Sequence, residues 1–259
     1  MKRKQSAKIA ERNQPILEKI RAIKADHPFW GYRRIWAHLK YIDKLEINKK
    51  RVLRIMRAAG GLLVKPDLKL KARRTPPRSK PRPTVPNQWW GIDMTKVLVN
   101  SFGWVYIVLV LDWFTKKIVG YHIGLQSKAK HWVEALDLAV QLQFPDGVRE
   151  HNLHLMNDNG CQPTSEYFMR YCSLTDIHQA FTSYNNPKGN ADTERVMRTL
   201  KEELIWLREW DSPFELAGEL KKWIDYYNGQ YLHSALGYKA PDRFEMEFKD
   251  SHVSLLVGA

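Results

Sequence analysis

Between residues 89 and 99 the chain reads Trp89-Trp90-Gly91-Ile92-Asp93-Met94-Thr95-Lys96-Val97-Leu98-Val99. Its alternation and its aromatic and β-branched content predict a strand. Asp93 stands in the middle, among Trp89, Trp90, Ile92 and Met94. A carboxylate in a strand centre is costly to bury unless it is paired or holds a cation, and turn chemistry does not explain it there. Trp104 to Leu111 follows as a continuous apolar run, the pattern of a strand covered on both faces. Lys117 to Ile123 reads as a third strand. Asn100-Ser101-Phe102-Gly103 and Asp112 to Lys116 supply the turns of an antiparallel meander.

Downstream the period changes. Lys128 to Gln143 carries Trp132, Ala135, Leu136, Ala139 and Val140 on one stripe and predicts a helix. His151 to Asn157 predicts a strand ending at Asp158-Asn159-Gly160, and Thr164 is the expected cap of a helix to about Tyr171. Ile177 to Phe181 predicts another strand, Gly189 to about Glu209 a long helix, and Pro213 to Tyr227 a last one. Three strands followed by alternating helix and strand describe an α/β fold, a mixed sheet with helices on its faces.

Upstream, residues 64–86 contain Pro66, Pro76, Pro77, Pro81, Pro83 and Pro86 among many Lys and Arg. Prolines at that density exclude helix and sheet and predict an extended basic linker. Residues 1–63 ahead of it form a small helical domain, and 87–259 the mixed-sheet body with a helical tail. Ile16, Ile20 and Ile23 mark a first helix, and Gly31 to Tyr41, with Ile35, Trp36 and Leu39, a second. Asn48 caps a third, ended by Gly60-Gly61, in which Val52, Leu53, Ile55 and Met56 are flanked by Lys49, Lys50, Arg51, Arg54 and Arg57. Helix, turn and basic helix suit a helix-turn-helix module with the last helix against DNA; a small bundle with its lysines facing water fits the same pattern.

Charge divides along the same boundary. The chain carries +14 overall, yet residues 1–86 hold 25 Lys/Arg against 6 Asp/Glu and the rest 17 against 22. A basic front ahead of a slightly acidic body is a footprint for a polyanion. Cys161 and Cys172 are the only cysteines, with no C-x-x-C, which excludes a disulfide framework or a cysteine zinc site and fits a reducing cytoplasm. Met1-Lys2-Arg3-Lys4-Gln5 leads into no apolar stretch, and the run from Trp104 ends at Asp112, too short to span a bilayer. A cytoplasmic chain with no membrane partner is expected.

Two further carboxylates stand out. Asp158 follows a strand end, where open α/β sheets place ligands, though an Asx turn explains it equally. Glu194 lies in the first turns of a helix, where an acid also serves the helix dipole. Asp112 competes with Asp93 but falls at a strand-to-turn junction. His151, His154 and His178 are scattered and lack metal-ligand spacing.

Several motifs, in order, resemble the retroviral-integrase-like catalytic core. They are Trp89 to Thr95, then Val110-Leu111-Asp112-Trp113-Phe114-Thr115, then Asn157-Asp158-Asn159-Gly160, then Ser183-Tyr184-Asn185-Asn186-Pro187-Lys188-Gly189-Asn190 leading to Glu194 and Leu200-Lys201-Glu202-Glu203. Tyr226-Tyr227-Asn228, His233 to Tyr238 and Pro241 are similar to the tail of bacterial insertion-sequence transposases of the IS-three type. Gly31-Tyr32-Arg33-Arg34-Ile35 resembles the helix-turn-helix signature ahead of the core in their second-frame product, OrfB. The resemblance covers about Gly31 to Phe244, including a 35-residue gap between Asp158 and Glu194.

The resemblance implies an RNase H-like sheet and a metal-binding Asp93, Asp158 and Glu194 triad holding two Mg²⁺, with Mn²⁺ able to substitute. It implies hydrolysis at transposon ends followed by strand transfer by a 3′-hydroxyl, without a covalent enzyme intermediate; Ser183 and Tyr184 are then structural or DNA-facing. Lys201, seven residues after Glu194 and so on its face, is expected at the DNA end, with Arg198 beside it either at DNA or in a surface ion pair. Lys188, Arg33, Arg34, Lys49, Lys50, Arg51 and Arg54 complete the expected DNA contacts. Asp192 and Cys161 depart from the family pattern, and no role follows for Asp192. The partners implied are double-stranded DNA, as terminal inverted repeats and target, further copies of the chain on DNA, and, unless the element works without the fusion, a first-frame OrfA product or fusion with its own helix-turn-helix and coiled coil. The rival readings are a ribonuclease or resolvase on the same sheet, against which the basic arm argues, and a non-catalytic or partial DNA-binding component of transposition that needs the first-frame partner.

Overall fold

The structure, a computed structural model, describes residues 7–63, 81–182 and 189–257, with side chains from 9 to 251 among them. Most of the basic Pro-rich segment and the Ser183 to Lys188 motif lie outside the described residues. The chain divides into two compact units, residues 1–75 and 76–259.

In the first unit α1 (Ala7–Asp26), α2 (Tyr32–Ala37) and α3 (Lys49–Ala59) enclose a core of Ile20, Ile23, Trp30, Ile35, Trp36, Leu39, Val52, Ile55 and Met56. The second helix does not run as α-helix to Tyr41: the wider i→i+5 winding takes over from His38 to Ile42. Trp36 donates its indole N–H to the Ile47 carbonyl at 2.7 Å, fixing the connection into α3. Asn48 caps α3 as its sequence requires, its side chain accepting from the Lys50 N–H at 2.8 Å. Gly60 and Gly61 end the helix at positive φ, +68° and +66°.

The second unit is built on five strands in the order β3-β2-β1-β4-β5. β1 (Trp89–Val99), β2 (Gly103–Asp112) and β3 (Ile118–Gly124) form the antiparallel meander, and β4 (His154–Asn157) and β5 (His178–Phe181) add parallel strands beside β1. One face is packed by α4 (Ala129–Gln143) and α5 (Glu166–Leu174): Trp90, Ile92, Val108, Val110 and Leu155 meet Trp132, Leu136, Ala139 and Phe168, all buried. Each such aliphatic or aromatic side chain contributes roughly 1.5–3 kcal/mol by leaving water. α6 (Ala191–Glu203) lies on the other face, and α7 (Pro213–Gly229) follows.

Strand β3 is one edge of the sheet, and Asn228 on α7 closes part of it. Its side-chain carbonyl accepts from the Ile118 N–H and its amide donates to the Ile118 carbonyl, both at 2.9 Å. One side chain thus supplies the two hydrogen bonds that a neighbouring strand would otherwise make.

Four further sequence expectations change. Ser165, not Thr164, caps α5, accepting from the Phe168 N–H, while the Thr164 hydroxyl turns back to the Gly160 carbonyl at 2.8 Å. The strand expected from His151 begins at His154. The long helix stops at Glu203, because Leu204 leaves the helical region at φ −133°, and a 3-10 turn follows at Ile205–Leu207. A further helix, α8 (Pro241–Val257), closes the chain. Its Phe244 and Phe248 rings lie 5.4 and 4.9 Å from Phe114, and Lys117 pairs with its Asp242 and Glu245 at 2.9 and 2.8 Å.

Candidate active site

Strand register puts two of the three expected carboxylates side by side. β1 and β4 pair in parallel as Trp89↔His154, Trp90↔Leu155 and Gly91↔Met156. The same offset, continued two residues, sets Asp158 level with Asp93. Asp93 is half-buried, and one carboxylate oxygen accepts from the Met94 N–H at 2.8 Å. Asp158 is exposed at the turn and accepts from the Gly160 N–H at 3.0 Å. An Asx turn is therefore present, and it aims the carboxyl rather than excluding a second role. Asn159 ties the loop to the end of β5, donating to the Thr182 carbonyl at 2.8 Å.

The third carboxylate arrives on α6, and Gly91 lets it. Residues 91 and 93 share a strand face. A Cβ at Gly91 would lie 2.1 Å from the Thr193 hydroxyl, 2.4 Å from Trp113 Nε1 and 2.7 Å from Asn190 Oδ1. Asn190, at the N-cap, does not cap the helix with its side chain but donates to the Ile92 carbonyl at 3.2 Å. The first turn of α6 is thereby laid on β1 beside Asp93, and Glu194 stands exposed in that turn.

Electrostatics register the convergence. Asp93 is pushed up to about 6, chiefly by burial and further by the charges of Asp158 and Glu194, against the lowering effect of its bond from the Met94 N–H and the positive charge of Lys201. Three carboxylates and one lysine thus act on one half-buried spot.

The neighbouring acids have other work. Asp112 is buried and accepts from the backbone N–H groups of Asn87, Phe114 and Thr115 at 2.5, 2.6 and 2.9 Å, locking the turn after β2. Asp192, which the sequence left without a role, pairs with Lys116 at 2.9 Å and binds the start of α6 to the β2–β3 turn. His122, His131 and Glu134 form a separate cluster with ligand atoms within 4.8 Å of one another. The two imidazoles stack with planes 8° apart, so their in-plane lone pairs run parallel rather than converge. His122 Nδ1 meets Glu134 at 2.9 Å and His131 Nδ1 accepts from the Lys128 N–H, a hydrogen-bonded cluster.

The expected DNA-contact residues divide. Lys201 faces the carboxylates electrostatically, whereas Arg198 pairs with Glu202 at 2.7 Å, the surface ion pair its spacing allowed. Arg51 is turned inward, bonding Asn13 Oδ1 at 3.0 Å and the Arg12 carbonyl at 3.2 Å, and Lys49 sits 4.1 Å over the Trp36 ring. Arg33 lies against Tyr32, and Arg34 is half-buried. Lys50, Arg54 and Arg57 are exposed along α3. Lys188 lies outside the described residues. Sequence reasoning gave no role to Gly91, Trp113, Asn190 or Thr193; a glycine inside a strand is the signal that marks such a close approach.

The same two-part organisation appears among known proteins. The HTH-like domain family matches residues 11–65, and two integrase core domain families match residues 83–187 and 175–241. The chain is similar to the transposase for insertion sequence element IS904 of Lactococcus lactis, 29% identical and covering 95% of this chain and 98% of the relative. It is also similar to the transposase InsD for insertion element IS2A/D/F/H/I/K of Escherichia coli, 25% identical and covering 88% and 77%. A chain of the simian T-cell lymphotropic virus intasome shares the fold at TM-score 0.53 and 15% identity, over 81% of this chain and 73% of that one. Among the described residues no helix is long and apolar enough to cross a membrane. With an HTH-like domain ahead of an integrase core, and insertion-sequence transposases as its relatives, the chain reads as a DNA transposase similar to those of the IS-three type.

Proposed function

We propose that Asp93, Asp158 and Glu194 are the catalytic carboxylates of this transposase and together hold two Mg²⁺ ions, for which Mn²⁺ can substitute. The observation that carries the reading is the convergence of three carboxylates from β1, the β4 loop and α6 on one half-buried spot. Their repulsion with burial raises Asp93, and a divalent cation with a preference for hard oxygen ligands relieves it. When bound, the ions supply Lewis acidity to the scissile phosphate and to the attacking oxygen.

The chain's own residues present and align. Asp93 is carried on β1, paired with Leu109 of β2. Asp158 is held by its turn and Glu194 by the docking of α6. Lys201, two helical turns beyond Glu194, binds phosphate at the DNA end, joined by Lys188 and by Arg198 when its pair with Glu202 opens. In the first step water attacks a phosphodiester at the transposon end and the 3′-oxygen leaves as a free hydroxyl. In the second, that 3′-hydroxyl attacks a target phosphodiester and displaces the target strand's own 3′-oxygen. Neither step requires a protein nucleophile.

The helical unit binds terminal inverted repeats, with Lys50 and Arg54 on α3 and Arg33 and Arg34 on α2 contacting phosphate, and Lys49 and Arg51 chiefly shaping the helix surface. The chain works on DNA as a homo-oligomer, in the bacterial cytoplasm at the nucleoid, alone or with a first-frame OrfA partner. The test is incubation of the chain with labelled terminal-repeat DNA and Mg²⁺. Nicked and joined products are expected; neither product, with or without the OrfA partner, would contradict the proposal.

A further inference from the structure

Glu194 must be held against a strand on which it does not lie. The residue before it, Thr193, is fully buried at 0% exposure, and its hydroxyl accepts a hydrogen bond from the Trp113 indole N–H at 3.1 Å. Trp113 lies just past the end of β2 and is itself fixed. Its backbone N–H donates to the Trp89 carbonyl at 2.9 Å, its ring stacks on Trp89 with centroids 5.8 Å apart, and Asp112 locks the turn in which it stands. Both bonded atoms close over Gly91, whose missing Cβ would sit 2.1 Å from one and 2.4 Å from the other.

Three elements therefore meet without spare room at the residue next to Glu194. A buried hydrogen bond between partners fixed by packing has one geometry and resists sliding. The Lys116–Asp192 pair binds the same helical turn but is partly exposed, so solvent weakens it. The Trp113–Thr193 bond is buried, as is the Asn190–Ile92 bond at the N-cap, and of the two it acts on the residue that adjoins Glu194.

We propose that Trp113 and Thr193 form a buried latch that positions Glu194 relative to Asp93, and so sets how tightly the three carboxylates hold a divalent ion. Trp113 and Thr193 are positioning residues, acting through Glu194. The inference rests on the triad reading above and deepens it.

The test uses the full chain and three variants, Thr193→Ser, Thr193→Val and Glu194→Gln. Mn²⁺ binding is followed by electron paramagnetic resonance without DNA, alongside thermal unfolding, DNA binding and the Mg²⁺ dependence of cleavage. Valine keeps the shape and removes the acceptor; serine keeps the acceptor. Thr193→Val is expected to weaken Mn²⁺ binding, and to raise the half-saturating Mg²⁺, by about tenfold, the low end of what loss of a group that orients a metal ligand costs. Thr193→Ser restores both, and DNA affinity stays within about twofold, because no phosphate contact is lost. The latch is overturned if Thr193→Val binds Mn²⁺ like the parent while Glu194→Gln does not. It is overturned equally if serine and valine lose binding alike in step with a fall in Tm, the mark of packing alone. If Glu194→Gln itself leaves Mn²⁺ binding unchanged, the triad reading fails and the latch with it.

Discussion

In the first unit the basic side chains are spread over helix surfaces, and several are occupied within the unit, as Arg51 is with Asn13 and Lys49 with Trp36. In the second, carboxylates from three elements converge on one spot, where burial and the charges of Asp158 and Glu194 raise Asp93. Spread charge attracts a polyanion from any direction and tolerates loss of single members. Converged like charge stores repulsion that a specific ligand must relieve, and it depends on every element that aims it. The first unit should therefore respond to substitution by small, salt-dependent steps, and the second by collapse of activity.

The largest effect is expected from Asp93→Asn. Removing a metal ligand costs several kcal/mol of transition-state stabilisation, about three powers of ten in rate or more, and a cleavage assay on end-labelled DNA measures it directly. Next comes Gly91→Ala. The added methyl meets Thr193 Oγ1 at 2.1 Å, so α6 must lift from β1; overpacking of this kind costs about 1–3 kcal/mol in urea unfolding, and cleavage should fall further than stability does.

Asp93 rises to about 6 from an ordinary 3.8, so the metal-free protein retains its proton where the unfolded chain has lost it. The stability this group contributes is full below the unfolded value and is lost as pH rises through about 6. Divalent-ion binding runs the other way, strengthening as pH rises to about 6, because the ligand must be ionised. Calorimetric Mg²⁺ titrations at pH 5 and pH 7.5 should show weaker binding at pH 5; equal affinity would place Asp93 outside the site.

Asn228→Ala should cost about 1–3 kcal/mol in urea unfolding, two hydrogen bonds at the edge of β3. The smallest effects belong to the first unit. Arg54→Ala is expected to weaken DNA binding a few-fold and to reduce the salt slope by about one unit. Arg51→Ala, by contrast, should lower the stability of that unit, since its guanidinium ties α3 to α1. A reversal of those two results would reassign which arginine faces DNA.

Much of this was legible in the residues. Asp93 was conspicuous because a strand interior offers an acid no local excuse, and Asn48 and the Gly60-Gly61 stop follow from cap chemistry alone. Strand β1 and the meander were readable because their periods are long and their turns short. What stayed hidden depended on contacts across the chain. The end of α6 at Glu203 is set by a backbone departure at Leu204 in a still-amphipathic stretch, and α8 is held by Phe114 and Lys117, more than a hundred residues away. Asp192 had no role legible in the sequence, because its partner Lys116 lies 76 residues away in the chain. The division of labour among the cations of α3 is likewise tertiary, since sequence spacing cannot tell an arginine facing α1 from one facing solvent.

The central claim is that the carboxylates meeting at the β1–β4 edge perform the strand chemistry while DNA is held mainly elsewhere. Its most direct measurement is Asp158→Asn, with DNA binding and Mg²⁺-dependent cleavage and joining followed on the same sample. The account predicts DNA affinity close to that of the parent chain and no nicked or joined product. Mg²⁺-dependent strand transfer retained in that variant would contradict it.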